Sequence, residues 1–228
     1  MPAKVTGSYS SFPASIREIM PYVEGEVSEL RNHWQIFHFF FMDKPEKTEF
    51  FGERFGPLLG VLQDLLEKQM ILSISRLTDK DSKSQRNLSL WSLTAAIQSA
   101  KSKDFGKKVN SALLAISATV EKARKHRHKQ IAHFDLDVSL GLSPLPTIFL
   151  KELYSALEQM EDFLNLFHWE FSQSTVGFDS LSSGMIYEMA FVTACKAKVF
   201  DELESESKIP LGEFERRLEK WSWWNWFH

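Results

Sequence analysis

The sequence from Val109 to Asp135 reads VNSALLAISATVEKARKHRHKQIAHFD, and it predicts both the fold and the chemistry of the chain. In its first half, apolar residues recur every three or four positions, which is the spacing of one face of an α-helix. These residues are Val109, Leu113, Ile116, Val120 and Ala123. No proline occurs between Pro57 and Pro144, so this region is expected to form long unbroken helices.

The second half of this stretch concentrates reactive side chains at the C-terminal end of the predicted helix. Three of the chain's seven histidines lie between residues 126 and 133, interleaved with Arg124, Lys125, Arg127 and Lys129. Histidine exchanges protons near neutral pH, and arginine holds a phosphate through a planar fork of donors. The pattern therefore indicates chemistry on a phosphodiester. A solvated basic helix end, which the helix macrodipole favours, is the alternative.

The rest of the chain shows the same helical spacing and no useful run of β-alternation, so we predict an all-α protein. Helices are expected over residues 13–42 with a kink or a restart at Pro21, 46–77 with an interruption or a bend at Gly56-Pro57, 87–97, 147–172, 185–203, and after Pro210. A loop is expected over residues 135–147. On the second helix, the face predicted to pack on a partner helix comprises Leu58, Leu62, Leu65, Leu66, Gln69, Leu72 and Leu77.

The domain organisation follows from these helices. Residues 1–12 are predicted to be a flexible N-terminus, and residues 13–172 an antiparallel helical bundle. Residues 173–228 are predicted to form additional helices, packed on the bundle or at a dimer interface. Five aromatic residues lie within 221–227; tryptophan is enriched at interfaces, but such rings also stack on nucleobases.

Composition limits the class of protein. The 228 residues are 43% hydrophobic and 25% charged, with a net charge of −3, which is typical of a soluble globular protein. Attraction to nucleic acid would therefore come from a local basic patch. The lone Cys195 excludes an internal disulfide and suits a reducing cytoplasm. No signal peptide or membrane span is evident, so a cytoplasmic location is expected.

Other polar clusters have simpler interpretations. Asp79-Lys80-Asp81 and Asp135-Leu136-Asp137 lack a full ligand set, so loop capping is expected and no metal site is predicted. His33, His38 and His168 are interpreted as core or surface residues satisfied by partners. Cys195 is expected to be a buried, inert thiol.

The ordered combination of three short motifs resembles the abortive-infection (AbiU-like) branch of the HEPN superfamily. The motifs are Ile74-Ser75-Arg76-Leu77-Thr78-Asp79, Asn87-Leu88-Ser89-Leu90, and Arg127-His128-Lys129-Gln130-Ile131-Ala132-His133. The last has five residues between arginine and histidine and a polar neighbour after the arginine, as in the HEPN signature. The resemblance covers roughly residues 15–170.

This resemblance implies a metal-independent endoribonuclease, with no cofactor, that works as a homodimer. Arg127, His128 and His133 would be catalytic, with His126 as a possible auxiliary group, and Arg124, Lys125 and Lys129 would contact RNA. A role in phage defence or as a toxin would follow, with an antitoxin or nucleotidyltransferase as a possible partner. The alternative is a non-catalytic HEPN-like module that binds nucleotide, RNA or a partner protein.

Helical geometry supports a site shared between two chains. At about 100° per residue, Arg127 and His133 lie about 120° apart around an ideal helix. One straight helix would therefore not direct both side chains at the same atom. Either the helix ends near Ala132, or a second copy completes the site, which is what the resemblance favours.

Overall fold

The computed structural model describes residues 9–43, 45–80, 87–97, 103–131 and 135–179 of the protein. All of them belong to one compact unit, Met1–Leu181. The predicted helices beyond residue 180, Cys195, His133 and the aromatic residues of 221–227 lie outside the described residues.

Regular structure in the described ranges is entirely helical, which confirms the all-α prediction. The helices are α1 (Ala14–Arg17), α2 (Met20–Phe41), α3 (Pro45–Leu77), α4 (Leu90–Ile97), α5 (Lys103–Thr119), α6 (Glu121–His126), α7 (Leu136–Ser139) and α8 (Leu150–Ser172). A π-helical turn, Arg127–Ile131, follows α6 directly. Among the described helices, none combines the length and the apolar content that a membrane-spanning helix needs.

Prolines divide the first half of the chain where the sequence predicts it. Pro21 lies in the first turn of α2, where its missing N–H costs no hydrogen bond. Pro57 lies inside α3, and the helix kinks at Phe55, whose φ of −130° and ψ of 18° are not helical. The proline ring clashes with the preceding turn and removes a hydrogen bond, which explains the kink. The predicted bend is therefore confirmed.

Two predicted boundaries are wrong. The long helix that leads to Arg127 is divided at Val120, although hydrogen bonds from the Val120 and Arg124 amides, each 3.0 Å, continue across the division. The predicted loop after residue 135 contains the single turn α7, because the Asp135 carboxylate accepts a hydrogen bond from the Val138 amide at 3.2 Å. Asp135 therefore caps the turn, as expected of a loop-capping acid.

The core is formed by helices α2, α3, α5 and α8, which pack against one another through apolar faces. The whole predicted stripe of α5 and α6 is buried. Each fully buried large apolar side chain contributes about 1.5–3 kcal/mol. The largest are Phe37, Phe163, Phe167, Ile16, Met20, Leu30, Met70, Ile74, Leu77, Leu90, Leu93 and Leu113.

The predicted packing face of α3 is only partly correct. Leu66 and Leu77 are buried, but Leu58 and Leu65 are 65% and 61% exposed. After the kink, the buried face instead includes Met70 and Ile74. An exposed apolar stripe therefore remains on the middle of α3.

A buried polar network joins the N-terminal segment to the core. Glu24 is fully buried, and its carboxylate lies 2.5 Å from both the Tyr9 hydroxyl and His168 Nε2. The pKa of Tyr9 is raised, chiefly by burial and in addition by the hydrogen bond to Glu24. His168 is thus a partner-satisfied core residue, as predicted. Tyr9 and Phe12, which belong to the predicted N-terminal segment, pack against the core.

Candidate active site

Helix α6 and the π-helical turn carry the arginine- and histidine-rich segment. Glu121 lies in the first turn of α6, and Arg124, Lys125 and His126 lie in its last turn. This distribution complements the helix macrodipole. The next residues, Arg127–Ile131, widen into an i→i+5 pattern, a local distortion found often at functional sites. The turn therefore changes the directions of the side chains up to Ile131 relative to those of a regular α-helix.

Arg127 is held by an acidic residue from the end of α3. Its Nη1 donates a hydrogen bond to Oδ2 of Asp79, and the two side chains are only 25% and 28% exposed. A guanidinium has five N–H donors, so this ion pair fixes its orientation while other donors remain. Asp79, expected only to cap a loop, is the residue that sequence reasoning missed. The signal was its position at the end of the first HEPN-like motif.

The carbonyl of Thr78 joins three segments beside this ion pair. It accepts hydrogen bonds from Nη2 of Arg124 and from Nε1 of Trp91, the latter at 3.1 Å. The Thr78 hydroxyl donates back to the Ile74 carbonyl at 2.8 Å, which fixes the end of α3. The segments that carry the three motifs are therefore linked here. Asp79 of the first motif contacts Arg127 of the third, and Trp91, the residue after the second motif, contacts Thr78 of the first.

The start of α4 closes the other side of this cluster. The Asn87 amide donates to the Lys80 carbonyl at 2.9 Å, and Lys80 Nζ lies 4.5 Å from the centre of the Trp91 ring. These contacts join Lys80, which follows α3, to Asn87 before α4 and to Trp91 in the first turn of α4. The backbone of residues 78–80 is therefore held from two directions, by α4 and by α6.

The histidines of the segment have different environments. His126 is partly buried, and its Nδ1 is enclosed without a hydrogen-bond partner among the described residues. This burial lowers the pKa of His126, which favours its neutral form. His128 is exposed on the π-helical turn. His133 lies outside the described residues.

The cations predicted to contact RNA also differ from one another. Arg124 is committed to the Thr78 carbonyl, and its Nη1 lies 4.0 Å from Glu121. Lys125 Nζ, on a side chain that is 61% exposed, lies 3.5 Å from the same glutamate. Lys129 donates to the Ser143 hydroxyl at 3.2 Å. Lys125 is thus the most accessible of the three, and Arg124 also orders the loop after α3.

Two further features bear on the chemistry. Within the ranges that the structure describes, no group of three or more His, Cys, Asp or Glu side chains is placed to hold a metal ion. His33, on α2, has its Nδ1 enclosed without a partner in the same ranges, and burial lowers its pKa. His33 is distant in sequence from the Arg127 cluster.

Comparison with known proteins gives one finding. A family model of HEPN type, described as AbiU2, matches residues 14–189. The match includes the three motifs and every described residue of the cluster around Arg127. No curated protein and no solved structure matched the chain.

Proposed function

We propose that this chain, which belongs to the HEPN family described as AbiU2, is a metal-independent endoribonuclease. The observation that supports this most is the cluster in which Asp79 holds the Arg127 guanidinium and the Thr78 carbonyl holds that of Arg124. An oriented guanidinium can bind a phosphate, and neighbouring histidines can transfer protons to and from the reacting oxygens. RNA is the expected substrate because its own ribose 2′-hydroxyl can act as the nucleophile.

In the proposed reaction, a histidine removes the proton of a ribose 2′-hydroxyl. The 2′-oxygen then forms a bond to the adjacent phosphorus, the bond to the 5′-oxygen breaks, and that oxygen leaves with a proton. The products are a 2′,3′-cyclic phosphate and a 5′-hydroxyl. His133 and His128 are the proposed proton-transfer groups, and Arg127 balances the charge on the phosphorus. His126 is a third candidate because burial favours its neutral form.

RNA contacts are proposed for the cations of α6 and the π-helical turn. Lys125 and Lys129 are the stronger candidates, because neither is committed to a backbone carbonyl. Arg124 would act on RNA mainly through the loop that it holds. Neutralising a phosphate-binding lysine lowers the salt dependence of binding, so Lys125→Gln should show a shallower salt dependence than wild type.

A homodimer is proposed through the exposed stripe on α3. Leu58, Val61 and Leu65 are at least 61% exposed and follow the three- and four-residue spacing of one helix face. If two copies of α3 paired in parallel, their C-terminal ends, and hence the two Arg127 clusters, would lie side by side. Antiparallel pairing about residue 61 would separate these ends by about 45 Å along the helices.

Purified protein incubated with RNA in EDTA tests the cleavage, with end-group analysis of the products. Wild type should give 2′,3′-cyclic phosphate and 5′-hydroxyl ends. Arg127→Ala and His133→Ala should lose at least about 100-fold in rate, since proton transfer alone contributes about 10²–10⁴-fold. His38→Ala, at an exposed histidine on α2, is the matched control and should cleave normally. Binding without cleavage would favour the non-catalytic alternative.

Mixing the two inactive variants tests the shared site. When the two variants form dimers at random, half of the dimers contain one chain of each variant. If the arginine and the histidine of one site come from different copies, each of these mixed dimers has one intact site out of two. About a quarter of wild-type activity should then return. No recovery after subunit exchange would mean that each chain carries a complete site.

The proposed cellular role is that of a toxin or phage-defence nuclease, with an antitoxin or nucleotidyltransferase as partner. Expression of wild type should then arrest growth, and His133→Ala should relieve the arrest. Equal toxicity of both proteins at equal abundance would refute this role.

A further inference from the structure

Trp91 has the properties of a nucleobase-stacking surface beside the Arg127 cluster. Its indole lies at the start of α4, where it packs against the edge of the core and remains partly exposed to solvent. The ring is held in one orientation because Nε1 donates to the Thr78 carbonyl at 3.1 Å. A fixed, accessible aromatic ring loses little side-chain entropy when a base stacks on it.

Lys80 marks the accessible face of this indole. Its Nζ lies 4.5 Å from the ring centre, and its side chain is exposed to solvent. An ammonium in this position is attracted to the electron-rich ring face, and a flat base can stack on the same face. A base that took the place of the ammonium would leave Lys80 free to contact a phosphate of the same strand.

The chain places this pair close to Arg127. Trp91 contacts Thr78, Arg127 contacts Asp79, and Lys80 is the next residue. Consecutive Cα atoms are about 3.8 Å apart, so the three anchor points span about 8 Å along the backbone. Neighbouring nucleotides in a single strand are separated by distances of this order. One strand can therefore reach the guanidinium with a phosphate and the indole with a base.

We infer that Trp91 and Lys80 form a binding subsite for one nucleotide of single-stranded RNA, next to the phosphate held at Arg127. The base stacks on the Trp91 ring, and Lys80 contacts an adjacent phosphate. The inference deepens the proposed ribonuclease function and relies on it for the class of ligand. Because every base has a π-face, the subsite accepts any of the four bases.

The test uses the full chain and a fluorescein-labelled 2′-O-methyl RNA, which lacks the nucleophilic hydroxyl proton and so reports binding alone. Stacking of one base is worth about 5- to 150-fold in affinity. Trp91→Leu should therefore weaken binding at least fivefold, while Trp91→Phe, which keeps a ring, stays within about threefold of wild type. Lys80→Gln should weaken binding and reduce the magnitude of the salt slope by about 0.7.

Matched controls lie on other helices. Trp169 is 59% exposed on α8, and Lys107 is exposed on α5; Trp169→Leu and Lys107→Gln should bind like wild type. Lys80→Gln keeps the test valid if Trp91→Leu fails to fold, because Lys80 is at the surface. Wild-type affinity in Lys80→Gln, or equal losses in the control variants, would overturn the subsite.

The two assays can refute the subsite and the ribonuclease proposal independently of each other. If wild type binds the 2′-O-methyl strand, and the Trp91 and Lys80 variants lose that binding, the subsite stands even when unmodified RNA is not cleaved. If wild type cleaves RNA and the variants bind normally, the ribonuclease proposal stands and the subsite falls. Absence of any binding by wild type overturns the subsite.

Discussion

Replacement of Asp79 by alanine should loosen Arg127 while the chain stays folded. Exposed ion pairs contribute about 0.2–1 kcal/mol, and hydrogen bonds to charged groups about 1.5–3 kcal/mol. The Asp79–Arg127 pair is about three-quarters covered on both sides, so we expect a coupling free energy of about 1–1.5 kcal/mol. A domain typically unfolds with 5–15 kcal/mol, and Asp79→Ala therefore remains native.

The effect on cleavage should exceed the effect on stability. Without the carboxylate, the guanidinium of Arg127 loses the acceptor that fixes it, and a misplacement of about 1 Å can cost about 100-fold in rate. We expect Asp79→Ala to lower kcat about 10- to 100-fold with a smaller change in KM. Asp79→Asn keeps an acceptor oxygen without the charge, and should retain cleavage within about tenfold of wild type.

A double-mutant cycle measures the coupling. Urea unfolding of wild type, Asp79→Ala, Arg127→Ala and the double variant gives the interaction free energy, and single-turnover cleavage gives the rates. The control is Asp64→Ala, which breaks the exposed Lys68–Asp64 pair of 2.7 Å on α3. It should cost at most about 0.5 kcal/mol and leave cleavage unchanged. A cycle with no coupling, together with wild-type kcat in Asp79→Ala, would refute a positioning role for Asp79.

Three further predictions follow from other parts of the bundle. Burial lowers the pKa of His126 below its unfolded value near 6.5, so the unfolded state binds the proton first and the free energy of unfolding falls as the pH drops below about 6.5. His126→Gln should reduce this pH dependence, by at most about 1.4 kcal/mol per pH unit. An unchanged pH profile of urea unfolding would contradict the prediction. Leu65→Lys should convert a dimer to a monomer in light scattering, whereas Leu114→Lys, at an equally exposed leucine on α5, should not. Glu24→Gln should lower the free energy of unfolding by about 3 kcal/mol, because it disrupts a buried, paired carboxylate; a loss below about 0.5 kcal/mol would show that the network is dispensable.

The sequence was sufficient for the features that depend on local spacing. The stripe from Val109 to Ala123 is buried as its three- and four-residue spacing predicts, and Pro21 and Pro57 mark the two expected interruptions. Each of these depends on residues within a few turns of one another. Local propensity and proline geometry therefore determine them before any tertiary contact forms.

Features that depend on distant residues were not predictable in the same way. Asp79 and Arg127 are 48 positions apart, and only the packing of α3 against α6 brings them together. The exposure of Leu58 and Leu65 has a similar origin, because the packing of α3 against other helices decides which of its leucines are buried. The π-helical turn at Arg127 has no signature in residue spacing, since the same sequence fits an α-helix.

The π-helical turn strengthens the argument for a site completed by a second copy. In an ideal α-helix, the six steps from Arg127 to residue 133 rotate by about 600°, which is about 120° short of two full turns. An i→i+5 turn contains more residues per turn, so each step over Arg127–Ile131 rotates by less. For a helix that continued past Ile131, the angle around the helix axis between Arg127 and residue 133 would therefore grow toward 180°, and the two residues would lie on opposite faces. In the proposed dimer, a partner with parallel α3 helices would supply the missing group at the required end, so mixing Arg127→Ala with His133→Ala is the decisive test of this geometry.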